Sequence, residues 1–188
     1  MSESRPCSAA RVVVGVSGSL GSLTALTRAA EEARGRGAEL WPVLASEPPG
    51  GDLAARRSPA ASVMVEEWER LARERLVTAL GEVFGGAGSG LRGRALIARG
   101  APGHALVALA DRDDDILVVG AGRRDLLHRT LLPSVGRYCL THAGCPVLAI
   151  PPSPLQADLT SLHRRNTWGL RLNTTHLQRE LHTARPEA

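Results

Sequence analysis

The sequence predicts an α/β fold, a parallel sheet of five strands covered by helices on both faces. Three observations predict it. Short apolar runs rich in β-branched residues, RVVVGV (Arg11–Val16) and ILVVG (Ile116–Gly120), read as strands buried on both faces. Segments of helical period stand between such runs, so strand and helix alternate, and right-handed crossovers then place helices on both faces. A hydrophobic fraction of 43% with only 3% aromatics calls for a core of Val, Leu, Ala and Ile, as such sheets favour.

The elements follow in order. Met1 to Ala10 is polar and small and is expected to be a mobile leader. Arg11–Val16 opens the domain as the first strand, and the next segment sets Leu23, Leu26, Ala30 and Ala33 on one helical face. Ser19 or Ser22 is expected to cap that helix, with Gly35 and Gly37 stopping it. AELWPVLA is the second strand, and EPPGGDLAARRSPA is a surface loop by its Pro and Gly content. Val65, Trp68, Ala72, Leu76, Ala79 and Val83 then recur at three- and four-residue steps, marking a long amphipathic helix that GGAGSG ends. GRALIARG is the third strand. Pro102 opens a third helix at the first-turn position Pro favours, with Leu106, Val107 and Ala110 as its apolar face.

Ile116 to Pro151 supplies the fourth strand, a glycine-opened loop, the fourth helix and the closing strand. Gly120 and Gly122 let the backbone turn sharply after the strand. Ser134 stands where an N-cap belongs, ahead of Val135, Tyr138, Cys139 and His142 at helical spacing. Its hydroxyl and the free N–H groups of the first turn would face the loop, a geometry suited to phosphate. The tail from Ser153 to Ala188 leaves the pattern, with Arg and His among isolated leucines, and is expected to be partly disordered.

At 188 residues the chain is long enough for one domain with a substantial core. The net charge of +4 is carried by Arg alone among the cationic side chains, and no stretch joins clustered Arg to stacking aromatics, so a nucleic-acid groove is not expected. No apolar run approaches the roughly 18 residues that span a bilayer. The three cysteines form no C-x-x-C pair and the N-terminus lacks a signal-peptide core, so a cytoplasmic location is expected.

The segments GVSGSLGSLTAL, ALIARGAPGHALVALADRDDDILVVGAGRR and LLPSVGRYCLTHAGCPVLAIPP resemble those of the universal stress protein family, in order, from Arg11 to Pro152. The resemblance implies a Rossmann-like sheet of order 3-2-1-4-5 and a homodimer paired through the last strand, at Val147, Leu148, Ala149 and Ile150. It also implies an adenine-nucleotide pocket at Gly15, Val16, Ser17, Val43, Val119, Gly120, Gly122, Arg123, Arg124, Pro133, Ser134 and Val135. Nucleotide-binding members resemble one another through Gly-x2-Gly-x9-Gly-(Ser/Thr), with an Asp after the first strand. Here Gly120 and Ser134 match, whereas Arg123 and Pro133 stand at the second and third glycines and Ser17 at the Asp.

Each change has a physical meaning. Arg123 would cost about 1–2 kcal/mol in a left-handed conformation, and its guanidinium could offset that by a bidentate phosphate contact, with Arg124 as a second candidate. Pro133 lacks an N–H. If the family's glycine donates to phosphate there, the loss costs about 1.5–3 kcal/mol. Ser17 cannot supply the charge of the expected Asp. ATP is therefore expected to bind weakly if at all.

Other constellations carry less. His104, His128 and His142 have no Asp or Ser at triad-like spacing. The run Asp111, Asp113, Asp114 and Asp115 precedes the fourth strand and is expected to keep that edge of the sheet solvated, because ligands gather at the carboxyl ends of strands. Cys139 reads as core filler and Cys145 as a reduced turn residue; neither these nor the tail histidines His163, His176 and His182 predict a metal site. The expected function is a non-enzymatic, dimeric stress-response regulator with an unidentified protein partner and a weakened adenine-nucleotide pocket. The alternatives are an ATP switch that uses Arg123 and Arg124 in place of backbone donors, and a slow ATP hydrolase.

Overall fold

The structure, a computed structural model, describes residues 9–47, 59–85, 90, 92–121 and 134–151. Among these residues nine elements alternate as expected: β1 (Arg11–Gly15), α1 (Leu20–Arg36), β2 (Glu39–Ser46), α2 (Pro59–Phe84), β3 (Leu96–Arg99), α3 (Pro102–Leu109), β4 (Ile116–Gly120), α4 (Val135–His142) and β5 (Val147–Ile150). The strands form one parallel sheet of order β3-β2-β1-β4-β5. β1 is central, and the chain winds outward from it first to one side and then to the other.

Strand alternation divides the core into two halves. Val12, Val14, Leu40, Leu44, Ile116 and Val118 face α1 and α2 and pack on Leu26, Ala30, Ala33, Ala72, Leu76 and Ala79. Val13, Val43, Leu117 and Val119 face α3 and α4 and pack on Leu106, Ala110 and Cys139. Burying one Leu or Val side chain stabilises the fold by about 1.5–3 kcal/mol. The periodicity read for α2 is confirmed in its second half, where Ala72, Leu76 and Ala79 are buried, while Val65, Trp68 and Val83 are half-buried.

Local chemistry fixes the boundaries. Ser19 caps α1 by accepting from Ser22 N, and Gly37, at φ 62°, ends it. Gly35 lies inside the helix rather than stopping it. Pro42 is tolerated inside the sheet because of its side. Leu40 N donates to Arg92 O on the β3 side, so the missing N–H two residues on would also face that side, where β3 has not begun. β3 is shorter than GRALIARG suggests. Gly93 touches β2 only as an isolated bridge, with its α-carbon so close to Leu40 that a Cβ would fall 1.9 Å from the Leu40 carbonyl oxygen.

Two expectations are corrected at the amino ends of the strands. Ala9 and Ala10, expected in the leader, are half-buried, and Ala10 O accepts from Glu39 N at 2.9 Å, so the fold takes them in. The acidic run does not simply solvate the edge. Asp115 is completely buried and accepts from Arg11 Nε at 2.8 Å, from Arg11 Nη2 at 2.5 Å and from Arg112 N at 3.1 Å. Arg11, 6% exposed, also donates to Asp111 at 2.6 Å and lies over the Trp41 ring, which Arg94 also covers. The hydrogen bond to Asp115 raises the Arg11 guanidinium above its ordinary value, against the opposite pull of burial. β1 and β4 are thus clamped together at their amino ends.

Candidate functional site

The opposite ends of β1 and β4 are built differently. Strand order reverses direction between them, and an open α/β sheet takes its ligands at such a switch point, outside the carboxyl ends of the strands. Gly15, Val16 and Ser17 lead out of β1, Val119 and Gly120 end β4, and Val43 lies beside Gly15 in β2. Val16 N donates to Val43 O at 2.8 Å and Ala121 N to Ile150 O at 2.7 Å, so both strand exits are held by their neighbours.

Two helix starts converge there. A Cβ on Gly120 would stand 3.1 Å from Gly21 O in the first turn of α1, and one on Gly136, in the first turn of α4, would stand 3.2 Å from Gly120 O. The three glycines let both helix N-termini press against the end of β4. Neither first turn carries an acidic residue, so the partial positive charge at each helix start is not neutralised within its own first turn. Ser134 caps α4, its Oγ accepting from Arg137 N at 3.2 Å, which leaves the N–H groups of Val135 and Gly136 without intrahelical acceptors.

The β1–α1 turn is tied by hydroxyls. Ser17 N donates to Ser22 Oγ at 3.2 Å, Ser22 Oγ donates to Ser19 O at 2.8 Å, and the exposed Ser17 and Ser19 hydroxyls lie 3.0 Å apart. Ser17 therefore presents a neutral hydroxyl at the mouth of the crevice, where the resemblance called for an Asp.

Of the residues expected in the pocket, Gly15, Val16, Ser17, Val43, Val119, Gly120, Ser134 and Val135 lie at or beside the carboxyl ends of the central strands. Gly122, Arg123, Arg124 and Pro133 lie outside the described residues, as do His128 and the tail histidines. Gly21 and Gly136 were not singled out from the sequence. Their signal was a glycine in the first turn of a helix, a position that helix propensity alone disfavours.

The structure also brings together residues that the sequence leaves apart. Tyr138 lies across the backbone of Gly103, its hydroxyl 3.0 Å from His104 Nδ1, and the His142 ring stacks on it at 4.0 Å. Thr141 Oγ1 lies 2.7 Å from His142 Nδ1, but no carboxylate joins this array among the contacts of the described residues, so it packs α3 against α4 and supplies no triad. Cys139 is fully buried, and burial pushes its thiol up to about 11. Burial raises the Cys145 thiol as well. Among the described residues no three His, Cys, Asp or Glu side chains gather to hold a metal ion, and no helix is long and apolar enough to cross a membrane.

A parallel sheet wound both ways from β1, with two helix starts gathered at its switch point, defines a doubly wound α/β protein, a class whose ligands sit at the carboxyl ends of the strands. Its sequence narrows the class further: residues 9–151 match the Universal stress protein family, and the chain belongs to that family. Solved structures agree. A universal stress protein in complex with cAMP is 30% identical, with a TM-score of 0.51 over 77% of this chain and 98% of its own. A universal stress protein from Archaeoglobus fulgidus is 26% identical, with a TM-score of 0.51 over 75% of this chain and 93% of its own. UspA from Lactobacillus plantarum, 22% identical, shares the fold with a TM-score of 0.57 over 77% of this chain and 99% of its own. None of the curated proteins compared with the chain matches it.

Proposed function

We propose that this protein is a non-enzymatic, dimeric stress-response regulator of the cytoplasm whose switch-point crevice binds an adenine nucleotide with one phosphate, and ATP only weakly. The observation that carries the reading is the contact of Gly120 with the first turns of both α1 and α4, which gathers at one point two helix starts with no acidic residue in their own first turns. That arrangement suits one compact anion. The relative in complex with cAMP, at 30% identity, supports an adenine nucleotide of that kind.

The sequence argues against a longer phosphate chain. Pro133 lacks the N–H of the family's third glycine, and loss of one hydrogen bond to a charged acceptor weakens binding about 10- to 150-fold. Ser17 brings no charge to hold a metal ion beside the phosphates. The edge strand β5 supports the dimer, because among the described residues no strand pairs with its outer side, which offers the backbone groups a second copy would need.

Calorimetric titration of the full chain with cAMP, AMP and Mg²⁺–ATP tests the reading. The expected result is micromolar binding of cAMP or AMP and weaker binding of ATP, with no ADP released on long incubation. A submicromolar dissociation constant for ATP would overturn the weakened pocket, sustained ADP release would overturn the non-enzymatic role, and heat-silent titrations with all three would remove nucleotide binding.

A further inference from the structure

The sheet holds α4 lightly. Of its eight residues only Gly136 and Cys139 are buried, and a glycine with a cysteine gives a helix little apolar area to resist rolling or tilting. α3 is fixed more firmly. Leu106 is 2% exposed and seats on Gly15, where a Cβ would stand 2.9 Å from Leu106 Cδ1, so α3 is packed directly on the end of β1.

Tyr138 joins the two helices, and its ring is held at root, tip and face. The root lies on Gly103, where a Cβ would fall 2.7 Å from Cδ1, 2.9 Å from Cγ and 3.1 Å from Cβ of the tyrosine, so any larger residue there would push the ring from its seat. The hydroxyl reaches His104 Nδ1 at 3.0 Å. One face stacks on the His142 ring at 4.0 Å and 7°, and His142 in turn donates from Nδ1 to the Tyr138 carbonyl oxygen at 3.0 Å.

The backbone of the same residue closes the first turn of α4. Tyr138 N donates to Ser134 O at 3.0 Å, just beyond Val135 and Gly136, whose N–H groups are left for an anion. Gly136 itself rests against Gly120 O, where a Cβ would stand 3.2 Å away. A helix resting there on a glycine alone could pivot, and a pivot would swing both N–H groups off line, where hydrogen bonds weaken steeply. Tyr138 removes that freedom. It ties α4 through Gly103 to α3, and through Leu106 to the exit of β1.

We infer that Tyr138 is a positioning residue for the anion: seated on Gly103, it fixes the angle at which α4 offers the Val135 and Gly136 N–H groups, without touching the ligand. The inference rests on the nucleotide reading above and adds to it the side chain that keeps the phosphate contacts preformed.

Titration of the full chain with AMP and with adenosine tests this, because adenosine lacks the phosphate. Wild type should prefer AMP about thirtyfold, within the range expected for hydrogen bonds to a charged acceptor. Tyr138→Leu, and Gly103→Ala with the tyrosine in place, should each cut that preference to about threefold and leave adenosine affinity at its wild-type value. A general loss of structure would instead weaken both ligands together. Tyr138→Phe keeps the ring on its seat and should stay within about threefold of wild type. Gly103→Ala combined with Tyr138→Leu should be no worse than either single variant, since both act through one contact. Should Tyr138→Leu fail to fold, Gly103→Ala and Tyr138→Phe carry the comparison. If the variants keep the wild-type preference for AMP, or if their losses multiply in the double variant, the positioning role is overturned while the nucleotide reading stands. If wild type binds neither ligand, or binds both alike, the nucleotide reading fails and the positioning role with it.

Discussion

Replacing Asp115 with Ala removes the carboxylate that joins β4 to β1 at the closed end of the sheet. The variant loses two hydrogen bonds from Arg11, at 2.8 and 2.5 Å, and one from Arg112 N at 3.1 Å. Arg11 cannot follow its partner out, being only 6% exposed, and stays buried with its charge poorly matched. Breaking a buried pair from one side costs about 3–5 kcal/mol. Arg11 keeps Asp111 at 2.6 Å, the Leu109 carbonyl at 3.3 Å and the face of Trp41, so the lower end, about 3 kcal/mol, is expected. At roughly 2–4 °C per kcal/mol for a chain of this size, the melting temperature falls by about 6–12 °C. Thermal unfolding followed by far-ultraviolet circular dichroism reads the change, with urea titration as a check at constant temperature. The double variant Arg11→Met with Asp115→Leu removes both charges and should recover most of the loss, because two apolar side chains leave no buried charge uncompensated. A single variant within 1 kcal/mol of wild type, or a double variant no better than the single, would refute the clamp.

Four further outcomes are expected. Gly120→Val should lose nucleotide binding and about 1–3 kcal/mol of stability by overpacking, since its Cβ would already stand 3.1 Å from Gly21 O; calorimetry and urea titration measure the two losses. The hydrogen bond from Arg11 holds the Asp111 carboxyl below its ordinary value. Its contribution is therefore complete above the unfolded value near 4 and disappears as pH falls through the lower native value. Asp111→Asn should flatten that acid limb of the stability curve. Cys139 and Cys145 should resist a thiol reagent at neutral pH until the protein unfolds, given burial and raised thiols; rapid modification of either in the native protein would contradict it. The 19.9 kDa chain should scatter light as a dimer of about twice that mass, and a monomer at every concentration would remove β5 pairing.

The parts of this fold that were legible in the sequence are those decided by neighbours along the chain. β1 and β4 announced themselves as β-branched runs, α2 by its three- and four-residue steps, and the starts of α1 and α4 by Ser19 and Ser134. Arg11 and Asp115 were not legible as a pair. They lie 104 positions apart, and each reads locally as a charge flanking a strand. The same is true of Tyr138 and His104, separated by 34 positions. In the candidate site, Gly120 and Ser134 were readable because glycine and a capping hydroxyl have few other uses there. Gly21 and Gly136 were not, because their role is to make room for another segment's backbone, and periodicity carries no trace of that.

α4 has eight residues, so it is only about 12 Å long. It begins at the proposed anion site with Ser134 and ends four residues before β5, the edge of the sheet. A lever this short has little length over which to bend. Movement of its first turn by an arriving phosphate would be delivered, through the Ala143–Pro146 turn, to the strand on which a second subunit would read it.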